Sequence, residues 1–176
     1  MKPLLILCLG NEIITDDRFG YEVAYELTND ANILNCADVI FAPVAGFGLL
    51  DILAGRGKVL IVDTIRTGIA ASGTIHSFPA GTNAPSNHLT SSHQIDLPTA
   101  LELGKRLGVE VPTSVEVIAI EAQDLETLSE VLTPPVRSGV GKAVQLIKQW
   151  ISVNSQEERN YGQRKERTSE ISVGQP

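Results

Sequence analysis

Short apolar runs alternate along the chain with segments in which apolar residues recur every three or four positions. Four of the runs predict β-strands, at Leu4–Leu9, Val39–Ala42, Lys58–Asp63 and Val115–Ile120. The first is apolar on both faces, as a central parallel strand must be. "GTIHSF", which begins at Gly73, predicts a further strand. No crossover helix fits between it and the preceding strand, so we expect it to run antiparallel or to lie at an edge.

Segments with helical spacing separate most of these strands. They predict helices from Phe19 to about Asn29, from about Leu49 to Ala54, from Leu97 to about Leu107, and from Val136 to Ile151. Strands that alternate with helices are typical of an α/β protein with a mostly parallel sheet. From Asn154 onward the chain is polar and lacks helical spacing. We therefore expect one domain over residues 1–153 and a polar, flexible tail over residues 154–176.

Composition narrows the range of partners. The 176 residues are 43% hydrophobic and 20% charged, which is typical of a folded globular domain. The net charge is −7 and no cluster of Lys and Arg stands out, which argues against nucleic acid. No apolar segment reaches the ~20 residues that span a bilayer, so membrane insertion is not expected. The two cysteines, Cys8 and Cys36, are too few for a disulfide framework and are typical of a cytoplasmic protein.

Carboxylates follow two of the predicted strands. The segment "LGNEIITDDRFG", residues 9–20, carries Asn11 and the adjacent acids Asp16 and Asp17 after the first strand, and Asp63 closes the third. Sites in open α/β sheets form outside the carboxyl ends of the strands, where the strand order reverses. If the first and third strands are neighbours at that point, Asp17 and Asp63 can approach each other.

A histidine is the third candidate. His93 follows a long polar loop, residues 79–92, and long loops in compact domains commonly carry function. Two carboxylates and an imidazole can bind a divalent metal and leave other positions open. They can also act as a general base with an orienting partner. In the simpler interpretation, Asp16 caps the helix that follows it and Asp63 belongs to an ordinary turn.

Other patterns carry less weight. Gly46 and Gly48 lie between a strand and a helix, as in a dinucleotide-binding fingerprint, but Asp51 stands where the third glycine belongs. His76 and His88 are interpreted as structural. A nucleotide-binding α/β protein remains an alternative.

Three segments of the chain resemble motifs of the nickel-iron hydrogenase maturation endopeptidases. "LGNEIITDDRFG" is similar to their G-N-x-x-x-x-D-D/E-x-x-G signature. "VLIVDTIRTGIAASGTI" resembles their apolar strand that ends in Asp and leads into a small-residue turn, and "SSHQIDLPTAL" resembles S-x-H-Q at the start of a helix. The resemblance implies a three-layer α/β/α sandwich with a twisted, mostly parallel (mixed) five-stranded sheet. Arg18 and "IEAQD", residues 120–124, depart from the family pattern.

The resemblance also implies an activity. It is the removal of a C-terminal extension from the hydrogenase large-subunit precursor, the expected partner, once nickel has been inserted. Asp17, Asp63 and His93 are the implied catalytic and metal-binding residues, and Gly10, Asn11 and Asp16 support them. The substrate supplies the nickel, and no organic cofactor is expected.

The sequence is compatible with two routes to hydrolysis. The nickel can polarise the carbonyl or a water, or an Asp can act as general base, as in an aspartyl-type peptidase. We expect a monomer or a small homo-oligomer. The alternatives are a non-catalytic chaperone that senses nickel, and a metallopeptidase with its own ion and another substrate.

Overall fold

The described residues fold around a five-stranded sheet. The computed structural model describes residues 4–45, 48–80 and 97–172, with side chains as far as residue 156. The strands are β1 (Leu4–Leu9), β2 (Asp38–Ala42), β3 (Lys58–Ile65), β4 (Ile75–Pro79) and β5 (Ser114–Glu121). Their order in the sheet is β2-β1-β3-β5-β4. The first four in this order are parallel, and β4 runs antiparallel to β5 at the edge, which confirms the prediction for that strand.

Helices cover both faces of the sheet. They are α1 (Phe19–Thr28), α2 (Ala31–Cys36), α3 (Gly48–Leu53), α4 (Leu97–Arg106) and α5 (Pro134–Ser172). Helices α1, α2 and α5 pack together on one face, and α3 packs with α4 on the other. The predicted three-layer α/β/α sandwich with a mixed sheet is therefore confirmed.

The core is divided between the two faces of the sheet. In β1, Ile6 and Cys8 pack toward α1 and α5, whereas Leu5 and Leu7 pack toward α3 and α4. Successive side chains of a strand point to opposite faces, so a strand covered on both sides must be apolar throughout. Cys8 is fully buried and burial raises the pKa of its thiol, so it behaves as a small apolar residue.

Two helical segments differ from the sequence prediction. Helix α2 was not predicted because six residues show too little periodicity, although Asp30 caps it by accepting a hydrogen bond from Asn32 N at 3.0 Å. Helix α5 continues to Ser172, whereas the sequence predicted an end near Ile151. The added stretch has no apolar stripe, but it is rich in Gln, Glu, Lys and Arg, which favour helices intrinsically. The domain boundary before residue 154 stays a prediction.

Length alone does not make α5 a membrane segment. It spans 39 residues, yet its sequence is strongly polar. Within residues 4–45, 48–80 and 97–172, no helix is both long enough and apolar enough to cross a bilayer.

Candidate active site at the switch point of the sheet

The site lies where the strand order reverses. From β1 the chain passes to β2 on one side of the sheet and later enters β3 on the other side, so β1 and β3 are parallel neighbours at the switch point. The adjacency on which the sequence argument depended is therefore confirmed. The loop that follows β1 and the carboxyl end of β3 lie beside each other.

Two glycines let the loop after β1 close tightly. Gly10 has a φ of +133°, and a Cβ built there would lie 2.0 Å from the carbonyl oxygen of Asp17. A Cβ on Gly20 would lie 2.0 Å from the carbonyl oxygen of Leu9. No side chain fits at either position, so the two glycines of the motif fold the loop back on itself and set α1 against β1.

Asn11 joins the hydrogen bonds inside this loop. Its backbone N donates to the Asp17 carbonyl at 3.2 Å, and its side-chain Oδ1 accepts from Ile13 N at 3.2 Å. These local bonds help to set the path of the chain between Gly10 and Asp17.

Asp17 points toward the end of β3. Its Oδ1 accepts a hydrogen bond from the Thr64 hydroxyl at 2.9 Å. The side chain is partly buried, and burial raises the pKa of the carboxyl in spite of the opposing hydrogen bonds from Thr64 and Asn11. The ionised form is thus less favourable here than in water.

Asp63 lies at the same place and is almost fully buried. Only 4% of the residue is exposed, and its Oδ1 accepts from Thr64 N at 2.8 Å. Burial and, to a smaller extent, the charge of Asp17 raise the pKa of Asp63 to about 8, although the Thr64 bond opposes them. The strand continues to Ile65, so Asp63 precedes the end of β3 rather than closing it as predicted. The structure therefore brings Asp17 and Asp63 together.

No described cation balances this pair. Among the described residues, neither carboxylate takes part in an ion pair, and no positive charge lowers either pKa. Two acids that share a poorly hydrated place repel each other, and a bound cation would relieve that repulsion.

The third predicted ligand belongs to a part of the chain that the structure does not describe. His93 lies outside the described residues, as does His88. Within the described residues, no group of three or more His, Cys, Asp or Glu side chains could hold a metal ion. The meeting of Asp17, Asp63 and His93 at one ion stays a prediction.

Asp16 has a different role from the one predicted. It was expected to cap α1, but that helix begins after Arg18 without a side-chain cap. The fully buried Asp16 carboxylate instead accepts from Gln123 N and Asp124 N, both at 2.8 Å, and from Thr133 N at 2.9 Å. The Thr133 hydroxyl also donates to it, at 2.8 Å. Asp16 therefore ties the loop to the chain just before α5.

The tied segment, residues 122–133, pairs along the loop. Thr15 N donates to Thr127 O at 3.0 Å, Ser129 N donates to Ile13 O at 3.0 Å, and Ile14 and Leu128 form an antiparallel bridge. This segment includes part of "IEAQD", which departs from the family pattern. Sequence reasoning did not identify its contact with the loop.

A second buried acid organises the turn after β3. Glu121, 2% exposed at the end of β5, accepts from Thr67 N at 2.7 Å and from Gly68 N at 3.0 Å. The Thr67 hydroxyl donates to it at 2.8 Å, and His76 Nε2 lies 3.2 Å away. Burial raises the pKa of Glu121, but these hydrogen bonds outweigh it and the net shift is downward. His76 is thus part of the structure, as interpreted from the sequence.

The fold and the buried acid pair define an α/β/α protein with an acidic centre at its switch point. One solved structure with this fold is the hydrogenase maturating endopeptidase HybD from Escherichia coli, which is 24% identical in sequence. The match covers 88% of this chain and 94% of that chain, with a TM-score of 0.70. The [NiFe] hydrogenase maturation protease HybD from Thermococcus kodakarensis follows, with 24% identity, 86% and 99% covered, and a TM-score of 0.64. Since both identities are below 25%, these likenesses are likenesses of fold.

The sequence itself gives the family. The sequence model of the hydrogenase maturation protease family matches residues 22–150, a range that includes Asp63 and His93 and begins after Asp17. No curated protein sequence matches significantly. The chain belongs to the hydrogenase maturation protease family and is a peptide hydrolase of hydrogenase maturation.

Proposed function

We propose that this enzyme removes the C-terminal extension of a nickel-loaded nickel-iron hydrogenase large-subunit precursor. In this proposal Asp17, Asp63 and His93 recognise the nickel that the precursor carries. Family membership supports the peptidase part. The observation that supports the nickel part is the carboxylate pair at the switch point, where burial raises both pKa values and no described cation compensates.

The state of the pair accounts for a preference for loaded precursor. The Thr64 bonds hold Asp17 and Asp63 in place before any ion arrives. A divalent ion that enters with the substrate gains two oxygen ligands and one imidazole, a set that suits nickel. A precursor without the ion gains none of these ligand bonds, so it binds less tightly.

Two routes to hydrolysis fit this arrangement. In one, the substrate's nickel polarises the scissile carbonyl or a water. In the other, a carboxylate takes a proton from the attacking water, and the departing amine receives a proton as the peptide C–N bond breaks. A pKa of about 8 for Asp63 supports the second route, because a general base is most effective when its pKa lies near the working pH.

A processing assay with matched precursors tests the proposal. Asp17→Asn, Asp63→Asn and His93→Asn are each expected to lower cleavage of the nickel-loaded precursor by roughly 10²-fold or more. Circular dichroism should show an unchanged fold. Asp51→Asn, at an exposed acid on α3, is the control and should cleave normally. Undiminished processing by Asp17→Asn would rule out its assigned role.

The same preparations separate the alternatives. Stoichiometric metal in the purified enzyme, present before any precursor is added, would favour a metallopeptidase with its own ion. A stable complex without shortening of the precursor would favour a chaperone. Thermal stabilisation by nucleotides would indicate a nucleotide-binding protein.

The proposal includes a cytoplasmic location, which is supported by the unpaired Cys8 and Cys36.

A further inference from the structure

One fully buried residue hydrogen-bonds both carboxylates of the site. The Thr64 hydroxyl donates to Asp17 Oδ1 at 2.9 Å, and Thr64 N donates to Asp63 Oδ1 at 2.8 Å. We propose that Thr64 is a positioning residue, which holds the Asp17 carboxylate beside Asp63 so that the two can share the substrate's nickel. This inference rests on the proposed function.

The lengths of the strands explain how Thr64 reaches Asp17. The pairing of β1 with β3 ends at Cys8 and Val62, whereas β3 continues to Ile65. Beyond Val62, the loop that follows β1 therefore meets β3 in place of β1 itself. Asp17 belongs to this loop, and its carboxylate lies where the Thr64 hydroxyl can donate to it.

The Thr64 hydroxyl lies in a largely apolar part of β3. Leu60, Ile61 and Val62 precede the polar pair of Asp63 and Thr64, Ile65 follows it, and all four are buried apolar residues. A buried hydroxyl is unfavourable unless it has a hydrogen-bond partner, and valine has nearly the same shape without that requirement. A charged acceptor in a poorly hydrated place makes the bond to Asp17 stronger than an ordinary hydroxyl bond.

The two hydrogen bonds from Thr64 come from different groups of the residue, so a substitution can remove one and keep the other. The bond to Asp63 comes from the backbone and survives any substitution that keeps β3 intact. The bond to Asp17 comes from the hydroxyl and is lost when that group is removed. Without it, the Asp17 side chain loses the bond that fixes its direction, and the precursor's nickel must reorient it on binding.

Thr64→Val and Thr64→Ser test the inference against a packing role. Valine keeps the shape and loses the hydroxyl, so cleavage of nickel-loaded precursor should fall by roughly 10–100-fold, the usual effect of removing a bond that orients a metal ligand. Serine keeps the hydroxyl and loses the methyl, so it should cleave within a few-fold of the wild type. If the Thr64 side chain served only in packing, Thr64→Val would cleave the precursor faster than Thr64→Ser.

An exposed hydroxyl just before β5 serves as the control. Thr113 Oγ1 donates to Gly57 O at 2.9 Å, at the end of the sheet away from the site. Thr113→Val removes the same group and should leave processing unchanged. If Thr64→Val does not fold, Thr64→Ala is compared with Thr64→Ser, since both lose the methyl and only serine keeps the hydroxyl. A much lower rate for alanine supports the inference, and equal rates overturn it.

Binding distinguishes positioning from general damage. For Thr64→Val, affinity for nickel-loaded precursor should fall while affinity for nickel-free precursor stays the same. The inference would be overturned if Thr64→Val cleaved like the wild type and kept the wild-type preference for nickel. The proposed function would still stand if Asp17→Asn and Asp63→Asn were inactive in the same assay. Normal cleavage by Asp17→Asn and Asp63→Asn would instead overturn the proposed function.

Discussion

Asp63 lies close enough to Asp17 for the charge of Asp17 to add to the effect of burial in raising the pKa of Asp63 to about 8. Near neutral pH the Asp63 carboxyl group of the free enzyme is therefore more stable in its protonated form than in its ionised form. Such an arrangement reduces stability in the absence of a cation, and it is typical of a functional site.

Replacement of this acid should stabilise the free enzyme. A raised pKa means that the stability contributed by protonated Asp63 is complete below the unfolded value of 3.8 and is lost as the pH rises through about 8. Asp63→Asn does not titrate, so its free energy of unfolding should exceed that of the wild type by an amount that grows across this range. At pH 8 we expect about 1–3 kcal/mol by urea denaturation.

The comparison is made without precursor or nickel, since a bound cation would reverse the effect. Asp51→Asn, at an exposed acid, should show no such dependence. A difference between Asp63→Asn and the wild type that stays constant from pH 4 to pH 8 would contradict the assigned environment of Asp63.

Glu121 should show the opposite pH dependence. Its lowered pKa means that the stability contributed by the ionised form is present above the unfolded value of 4.5 and is lost as the pH falls through the folded value. Glu121→Gln should reduce the free energy of unfolding by about 1–3 kcal/mol at pH 7 and by less near pH 3. Glu126→Gln, 84% exposed at its side chain, should change it by less than about 0.5 kcal/mol. Equal losses at both pH values for Glu121→Gln would show that the charge is unimportant.

Asp16 should matter for folding more than for chemistry. Its carboxylate accepts bonds from Gln123, Asp124 and Thr133, and Asp16→Ala leaves these donors buried without it. We expect a loss of about 3 kcal/mol in thermal or urea unfolding. Glu12→Gln, at an exposed acid of the same loop, is the control. Unchanged stability of Asp16→Ala would mean that segment 122–133 is held by other contacts.

Two glycine substitutions should have opposite effects. Gly20→Ala places a Cβ 2.0 Å from the Leu9 carbonyl, so it should destabilise the fold by about 3 kcal/mol or more. Gly141 is exposed within α5 and a Cβ there meets nothing within 4 Å, so Gly141→Ala should stabilise by about 0.5–1 kcal/mol. Melting temperatures of the two variants test both directions, and a tolerated Gly20→Ala would contradict the close contact of α1 with β1.

The sheet could be predicted because burial on both faces leaves a clear pattern. Leu4–Leu9 is apolar at every position, which indicates a central strand without any knowledge of its neighbours. Helix α2 has six residues and too few apolar positions to show a period. The extension of α5 beyond Ile151 depends on backbone propensity, which a search for apolar stripes does not detect.

The site was only partly predictable for a related reason. Asp17 follows β1 and Asp63 lies near the carboxyl end of the neighbouring parallel strand β3, so topology alone could bring them together. Asp16 was assigned to α1 by a local capping rule, but its partners lie more than 100 residues away in the chain. The signal for Thr64 was present, since Asp63 and Thr64 together interrupt an otherwise apolar strand.

X-ray absorption at the nickel edge tests the central claim most directly. Nickel-loaded precursor is frozen rapidly alone, with wild-type enzyme, and with an Asp17→Asn/Asp63→Asn/His93→Asn enzyme, after binding has been verified for each mixture. The account predicts that the wild-type enzyme adds oxygen and nitrogen neighbours to the nickel and that the triple variant does not. A nickel spectrum that stays the same when the wild-type enzyme is bound would contradict it.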